Sequence, residues 1–356
     1  MILALNVGST SVKIALAAAD KVLCQESFPL AIADRETLFH QDCFAVEVDR
    51  LEEAVCRFLS SCGRFLEEVA IVVSRGGLQR PGDAGSYLIT EPMLDDLRRG
   101  TYGKHPSSLG PVLAARLALR AGCLAVAVDP PSTDEFIALA RPSGLPDLER
   151  VSAFHALSHK AAGRQAAAAL GKEYDHCRLI VAHLGGGITV GAHCLGKVID
   201  CTNGLSEGPF SPERAGSLPT MELFVLALAH ADCRERFEKR LVGEGGLQAY
   251  LGTKDALVVE QRIADGDNQA ALIYETMAYQ IAKDIGSMAA VLAGQVDAVV
   301  LTGSLARSAM LLGWLRSRIE FLGPLFIYPG ECEMTALLAT ADRVLAGEEK
   351  LQSYPP

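Results

Sequence analysis

Ile2-Leu-Ala-Leu-Asn-Val-Gly-Ser-Thr-Ser-Val-Lys-Ile-Ala-Leu16 opens the chain, and Ile180-Val-Ala-His-Leu-Gly-Gly-Gly-Ile-Thr-Val-Gly-Ala-His-Cys194 repeats its pattern in the second half. In both stretches an apolar run stops at a turn of small residues and alternation then resumes, which predicts two short strands joined by a tight hairpin. A third β-like stretch follows each, Val22 to Phe28 and Lys197 to Cys201. Aligned without a gap, Gly8 falls on Gly186 and Val12 on Val190. The chain therefore reads as two copies of one unit. Few letters are identical, so the shared pattern carries this reading.

Working outward, helical and extended stretches alternate. Leu51, Val55, Phe58 and Leu59 mark one helical face; Leu109 to Leu119, His155 to Leu170, Gln269 to Leu292 and Glu331 to Leu345 read as helices. Val69 to Val73, Leu124 to Val128, Val296 to Leu301 and Leu325 to Tyr328 read as strands, each followed closely by Gly, Pro or polar residues. Such alternation is α/β. Ligands of open α/β sheets sit beyond the carboxyl ends of the strands, and a cleft between the two copies would gather those ends.

The 356 residues suit two domains. A net charge of −10 without a basic stripe argues against nucleic acid as a partner. Ten cysteines with no Cys-x-x-Cys pair read as reduced thiols, hence a cytoplasmic protein. Met1 to Thr10 has no basic region followed by an apolar stretch, so no signal peptide is expected, and no apolar run is long enough to span a membrane.

Several residues could do chemistry. The turn Asn6-Val-Gly8-Ser9-Thr-Ser11, with Lys13 beside it, offers successive backbone N–H groups, hydroxyls and an amide to phosphate oxygens; an ordinary hairpin is the bland alternative. Gly185, Gly186 and Gly187 let backbone approach a ligand closely. They precede a strand, so a dinucleotide-binding fingerprint is excluded, and no Walker A loop occurs. Thr302-Gly303-Ser304 follows a strand and is expected to open a helix, as an anion site or simply a cap. Arg75 and Arg214 could clamp carboxylate or phosphoryl oxygens. Asp129 and Glu333 could serve Mg²⁺, or a turn and a helix start. Among the histidines, His105, His155 and His159 are candidates. His155 suits charge stabilisation, and His159 a structural place. No Gly-x-Ser-x-Gly occurs.

Asn6-x-Gly-Ser-Thr-Ser, Arg75-Gly-Gly-Leu, Phe154-His-Ala-Leu-x-His159-Lys and His183-Leu-Gly-Gly-Gly-Ile resemble the butyrate kinases. So do Gly208-Pro-Phe-Ser-Pro-Glu-Arg214, Tyr250-Leu-Gly-Thr253 and Tyr328-Pro-Gly-Glu331, in order along the chain. That family belongs to the acetate and sugar kinase/Hsp70/actin superfamily. The resemblance implies two ribonuclease-H-like domains of a duplicated actin-like ATPase fold around an ATP cleft. The first would span 1–155, completed by a helix at 333–348, and the second 156–332. It implies butyrate plus ATP giving butyryl phosphate plus ADP, with Mg²⁺, in a protein that self-associates at least as dimers.

Residue by residue, the resemblance places Asn6, Gly8, Ser9, Ser11 and Lys13 in a first phosphate loop. His183, Gly185, Gly186 and Gly187 fall in a second, and Gly303 with Ser304 beside the adenosine. It gives Arg75 and His105 to the acid, Asp129 and Glu333 to the metal or catalysis, and Arg214 and His155 to the transferring phosphoryl group. Ser304 stands where a second glycine is usual, and Cys332 where a polar residue is expected. A carboxylate needs no general base, so the expected mechanism is in-line transfer by positioning and charge stabilisation. Isobutyrate, propionate or acetate is the alternative acid, and a non-catalytic ATP-binding protein the alternative class.

Overall fold

The computed structural model describes residues 1–8, 11–18, 21–30, 35–39, 42–330 and 332–354. In chain order the first strands are β1 (Ile2–Val7), β2 (Ser11–Ala18), β3 (Lys21–Pro29), β4 (Ile71–Arg75), β5 (Ser86–Leu88) and β6 (Leu124–Val128). The rest are β7 (Arg178–Leu184), β8 (Ile188–Cys194), β9 (Lys197–Cys201), β10 (Ala298–Gly303), β11 (Leu325–Pro329) and β12 (Leu351–Gln352). The chain divides into two compact units, Met1–Asp134 with Cys332–Pro356, and Glu135–Glu331. The division falls at Asp134 rather than at 155. Glu135 already belongs to the second unit, where its carboxylate accepts from Lys160 Nζ (2.7 Å) and from the backbone N–H of Val198 (2.6 Å).

Each unit has one sheet. The second runs β11-β10-β7-β8-β9; the first runs β12-β5-β6-β4-β1-β2-β3. Within the first, β6-β4-β1-β2-β3 has the same order and the same directions as the whole of the second. A meander of three antiparallel strands is extended by two parallel strands added on the far side of the first.

β1 is buried from end to end, which is why its sequence is almost unbroken apolar. Leu3, Leu5 and Val7 join Val12, Ile14 and Leu16 of β2 in a core shared with the helices Cys43–Ser61 and Leu109–Ala121. The opposite face of β1 meets the helix Glu333–Ala346. In the second unit Ile180, Ala182, Leu184, Ile188, Val190 and Ala192 make the corresponding core with Asn268–Val291 and Ala309–Ile319. Its other face packs Ala162, Ala166 and Ala167 of the helix Ala156–Ala169 on Leu179, Val181, Ala298 and Val300.

These cores correct the alignment of the repeats. Val7 pairs with Val12 across the first turn, but Leu184 pairs with Ile188 across the second, which is one residue shorter. Val12 therefore matches Ile188, not Val190, and the gapless alignment fails. A one-residue slip would turn every core side chain of a strand to its other face. Each buried Leu or Ile contributes about 1.5–3 kcal/mol, so the shorter turn is the cheaper adjustment.

A second correction concerns Ser304. The strand ends at Gly303 and a four-residue 3₁₀ turn, Ser304–Arg307, follows. The α-helix begins only at Ala309, capped by Ser308, whose hydroxyl accepts from the N–H of Leu311 (2.9 Å). None of the ten cysteines is in a disulfide. Among the described residues no helix is long and apolar enough to cross a membrane.

Candidate active site

In the first unit the candidate residues lie at strand ends. Asn6, near the end of β1, faces away from the Leu3–Leu5–Val7 core, and its cross-strand partner on β2 is Lys13. Direct partners share a face, so the amide and the ammonium stem lie side by side. Asn6 Nδ2 donates to Glu333 Oε2 at 2.7 Å. Asn6 Oδ1 is buried with no hydrogen-bond partner among the described residues. Glu333 is the first residue of its helix, where the helix dipole favours a carboxylate. Arg75, closing β4, brings its guanidinium to 4.0 Å from the same Glu333 oxygen. Three residues far apart in sequence thus meet around one buried carboxylate.

Other candidates of this unit have evident local work. Asp129 follows β6 with φ +38°, a strained value for a residue with a side chain. Its Oδ1 accepts from the N–H of Gly85 (2.8 Å), and its own N–H donates to the Gly85 carbonyl (3.0 Å). His105 caps the turn Pro106–Ser108 by accepting the Ser107 N–H on Nδ1 (3.1 Å), which places its ring proton on Nε2. Gly8 donates its N–H to the Ser11 carbonyl (2.8 Å), closing the first hairpin. Ser9 lies outside the described residues.

The second unit concentrates its candidates more tightly. His183, buried at the end of β7, lies on the face that meets the helix Ala156–Ala169. Its Nδ1 is 2.8 Å from Ser158 Oγ, and its ring stacks on that of His155, with centroids 4.0 Å apart and 16° between planes. His155 immediately precedes the helix, and its Nδ1 is 2.9 Å from Thr189 Oγ1. His183 and Thr189 are themselves cross-strand partners flanking the glycine turn.

That turn is bound to the Gly208–Arg214 segment. Ser211 Oγ donates to the Gly186 carbonyl (2.6 Å) and accepts from the N–H of Arg214 (3.1 Å). The Arg214 guanidinium lies across Gly187, where an added methyl group would come within 2.5 Å of Cζ. Arg214 is held in place by donating from Nη1 to the Gly204 carbonyl (2.7 Å). Glu213 beside it pairs with Lys254 (3.0 Å). A glycine turn, a stacked imidazole pair and an arginine therefore share one surface, an arrangement of donors suited to an anion with charge developing on its oxygens.

Gly303 has a different explanation from the one expected. It adopts φ +94°, and a side chain there would strike the backbone of Leu184, at 2.7 Å from its carbonyl carbon. Close approach of β10 to the end of β7 thus requires glycine whether or not a ligand is nearby. Ser304 is exposed and crowds nothing in its unit.

Sequence reasoning did not single out Ser158, Thr189, Ser211, His193 or Tyr174. The spacing could have found Ser158, three residues after His155 on a helix. Thr189 and Ser211 emerge only once strand register and loop closure are known.

Residues 148–324 match the acetokinase family. The fold is shared with an acetate kinase of Porphyromonas gingivalis (TM-score 0.75, 20% identity, 96% of this chain and 99% of that one). It is shared also with a propionate kinase of Francisella tularensis subsp. tularensis SCHU S4 (TM-score 0.72, 21% identity, 96% and 99%). An acetate kinase of Entamoeba histolytica matches at TM-score 0.71 and 15% identity over 96% and 98%. The chain thus shares the α/β fold of these acetate and propionate kinases, and just under half of it matches the acetokinase family.

Proposed function

We propose that the protein transfers the γ-phosphoryl group of ATP to the carboxylate of a short-chain fatty acid, forming an acyl phosphate and ADP. The observation that carries this reading is the seating of Arg214 across Gly187, beside the His155–His183 stack. In-line transfer to an already ionised carboxylate needs cations and N–H donors around a flat phosphoryl group, and needs no base. Arg214 and His155 take the transferring group in this reading. Gly185, Gly186 and Gly187, with His183, take phosphate oxygens, as do the turn Gly8–Ser11 and Lys13. Gly303 and Ser304 lie by the adenosine, and Arg75 and His105 serve the acid.

Mg²⁺ belongs to the same proposal. The described residues contain no group of three or more His, Cys, Asp or Glu side chains able to hold a metal ion. A cation held mainly by phosphates and water fits nevertheless, because Mg²⁺ takes only one or two carboxylates. Asn6 Oδ1 and the Glu333 carboxylate are hard oxygens side by side, and Asp129 is the second acidic candidate. The ion would neutralise phosphate charge; Glu333 would orient it, with Asn6 and Arg75 fixing the carboxylate.

Acetate and propionate stand ahead of butyrate as the acid, because the named relatives of this fold are acetate and propionate kinases. A cavity of about 430 Å³ opens beside Ala215, lined by Leu205, Leu218, Leu223 and Leu241 together with Ser206, Ser217 and Thr220, a mixed wall that could take a short acyl tail. One methylene is worth only ~1–3 kcal/mol in such a wall. Hydroxamate trapping of acyl phosphate with ATP, Mg²⁺ and C2 to C6 acids tests the reading. Product with C2 or C3 supports it; a peak at C4 restores butyrate. ATP binding without product from any acid replaces it by the non-catalytic alternative.

Self-association is part of the proposal, at the helix Thr220–Leu228, which exposes Met221, Phe224, Val225 and Leu228. So is a cytoplasmic location, where ATP is present and thiols stay reduced.

A further inference from the structure

Behind His155 runs an unbroken line of polar atoms that the proposed reaction does not use. Thr189 Oγ1 touches both His155 Nδ1 and His159 Nε2 at 2.9 Å. His159 Nδ1 is 3.3 Å from His193 Nε2, and His193 Nδ1 is 2.7 Å from Tyr174 Oη. Thr189, His159 and His193 are wholly buried. Two glycines make room for the line. A methyl group at Gly163 would come within 2.8 Å of the Tyr174 ring, and one at Gly191 within 3.2 Å of His159 Nδ1. Glycine inside a helix or a strand costs about 0.5–1 kcal/mol against alanine, so these positions serve the line at some expense to their own elements.

We infer that Tyr174, His193, His159 and Thr189 form a one-way hydrogen-bond relay that fixes the tautomer of His155, which makes Tyr174, His193 and His159 positioning residues. The inference rests on the phosphoryl-transfer reading for its purpose, though not for its geometry. Burial keeps both inner imidazoles neutral, His159 being pushed down to about 3 and His193 well below its ordinary value. A neutral imidazole has one N–H and one lone pair, so each link sets the next. When Tyr174 donates to His193 Nδ1, His193 donates from Nε2 to His159 Nδ1. His159 then donates from Nε2 to Thr189, which turns its own proton to His155 Nδ1. The His155 proton is left on Nε2, the nitrogen outside the relay, where it can donate to an anion. Reversed, the relay would protonate Nδ1 and leave Nε2 a bare acceptor, which repels a phosphoryl oxygen.

Charge selects the first sense. Lys160 Nζ and Arg164 Cζ lie 5.6 and 5.7 Å from the centre of the Tyr174 ring. Lys160 is paired with the Glu135 carboxylate at 2.7 Å, so the Arg164 guanidinium is the cation that favours a donating phenol, with the negative ends of the linked dipoles toward it and the positive end at His155. Stacking on His183 holds the ring in the plane the relay requires.

Nitrogen-15 spectra of histidine-labelled protein, assigned by single substitutions, test this without any turnover. The expected result is His155 protonated on Nε2 and bare on Nδ1, with Tyr174→Phe converting it to a mixture of tautomers. With the preferred acid, Thr189→Val should lower kcat roughly three- to tenfold, the loss of one buried hydrogen bond. KM for ATP should stay within about twofold, because substrate binding is not what a hydrogen bond behind His155 controls. Thr189→Ser, which keeps the hydroxyl, should restore kcat. Tyr174→Phe removes a single oxygen at the half-buried end, so it reports even where Thr189→Val folds poorly. His155 protonated on Nδ1 in the wild type, or indifferent to Tyr174→Phe, would overturn the relay. A tautomer that responds as expected in a protein making no acyl phosphate would keep the relay and discard the proposed reaction.

Discussion

The hairpin turn of the first unit and that of the second occupy equivalent places in the same five-strand arrangement, yet they are built from opposite materials. Gly8 to Ser11 brings hydroxyls and has Asn6 and Lys13 beside it. Gly185 to Gly187 brings no side chains and borrows its chemistry from elsewhere: His155 from a helix start, Ser211 and Arg214 from a loop. The cluster of the first unit centres on a buried acid, Glu333, held by Asn6 and Arg75. The second centres on a cation and two imidazoles. The same five-strand arrangement thus fixes where strand ends lie and leaves each unit free to place unlike chemistry there. Differences between the copies are where function should be sought.

In the proposed reaction the cluster of the second unit serves the reacting group, so its loss should be the most severe. Arg214→Ala is expected to lower kcat by about 10³-fold with the fold retained, the low end of what arginine contributes to phosphoryl transfer. Glu333→Gln, acting on the cluster of the first unit, should cost about 10²-fold and raise the Mg²⁺ requirement, read from a metal titration at saturating ATP. A larger loss for Glu333→Gln than for Arg214→Ala would reverse the assignment. Gly187→Ala, which pushes the guanidinium out of its seat, should lower kcat on the order of tenfold or more, since misplacement of about 1 Å can cost 10²-fold. Ser304→Gly should change activity by less than about twofold, because Ser304 is exposed and the glycine required by backbone contact is Gly303.

A stability test separates the copies differently, since the second unit alone buries a neutral His159. Its folded pKa of about 3 lies below the unfolded 6.5, so between these values the unfolded chain binds the additional proton. Stability is therefore complete above pH 6.5 and declines as the pH falls toward 3, by up to about 1.4 kcal/mol per pH unit for that one residue. Denaturant midpoints of the wild type and His159→Gln across this range should converge toward low pH. Parallel curves would show that His159 is protonated or solvated in the native state.

The strand framework was legible because β1 and β7 are buried on both faces and announce themselves as apolar runs. The repeat was legible for the same reason, while its register was not. The missing residue of the second turn shows only when Leu184 is seen to pair with Ile188. The four helices between Thr220 and Ala264 escaped, because the first has no buried residue and hence no apolar stripe to read. Among the candidate residues, Arg214, His155 and Glu333 were named by residue type beside strand ends, helix ends and glycines, and His183 only through the resemblance. Thr189, His193 and Tyr174 were not, since a hydrogen bond between a strand, a helix start and a turn leaves no mark on local spacing. Ser304 misled because a 3₁₀ turn and a helix start draw on the same residues.

The central claim is that Arg214 and its glycine seat serve phosphoryl transfer to a carboxylate. Phosphorus NMR of ATP, Mg²⁺ and acetate or propionate, followed in parallel with wild type and Arg214→Ala, tests it most directly. The γ-phosphorus signal should move to that of an acyl phosphate with the wild type, and about 10³-fold more slowly with the variant. Equal rates in the two proteins, or γ-phosphorus appearing only as inorganic phosphate, would contradict it.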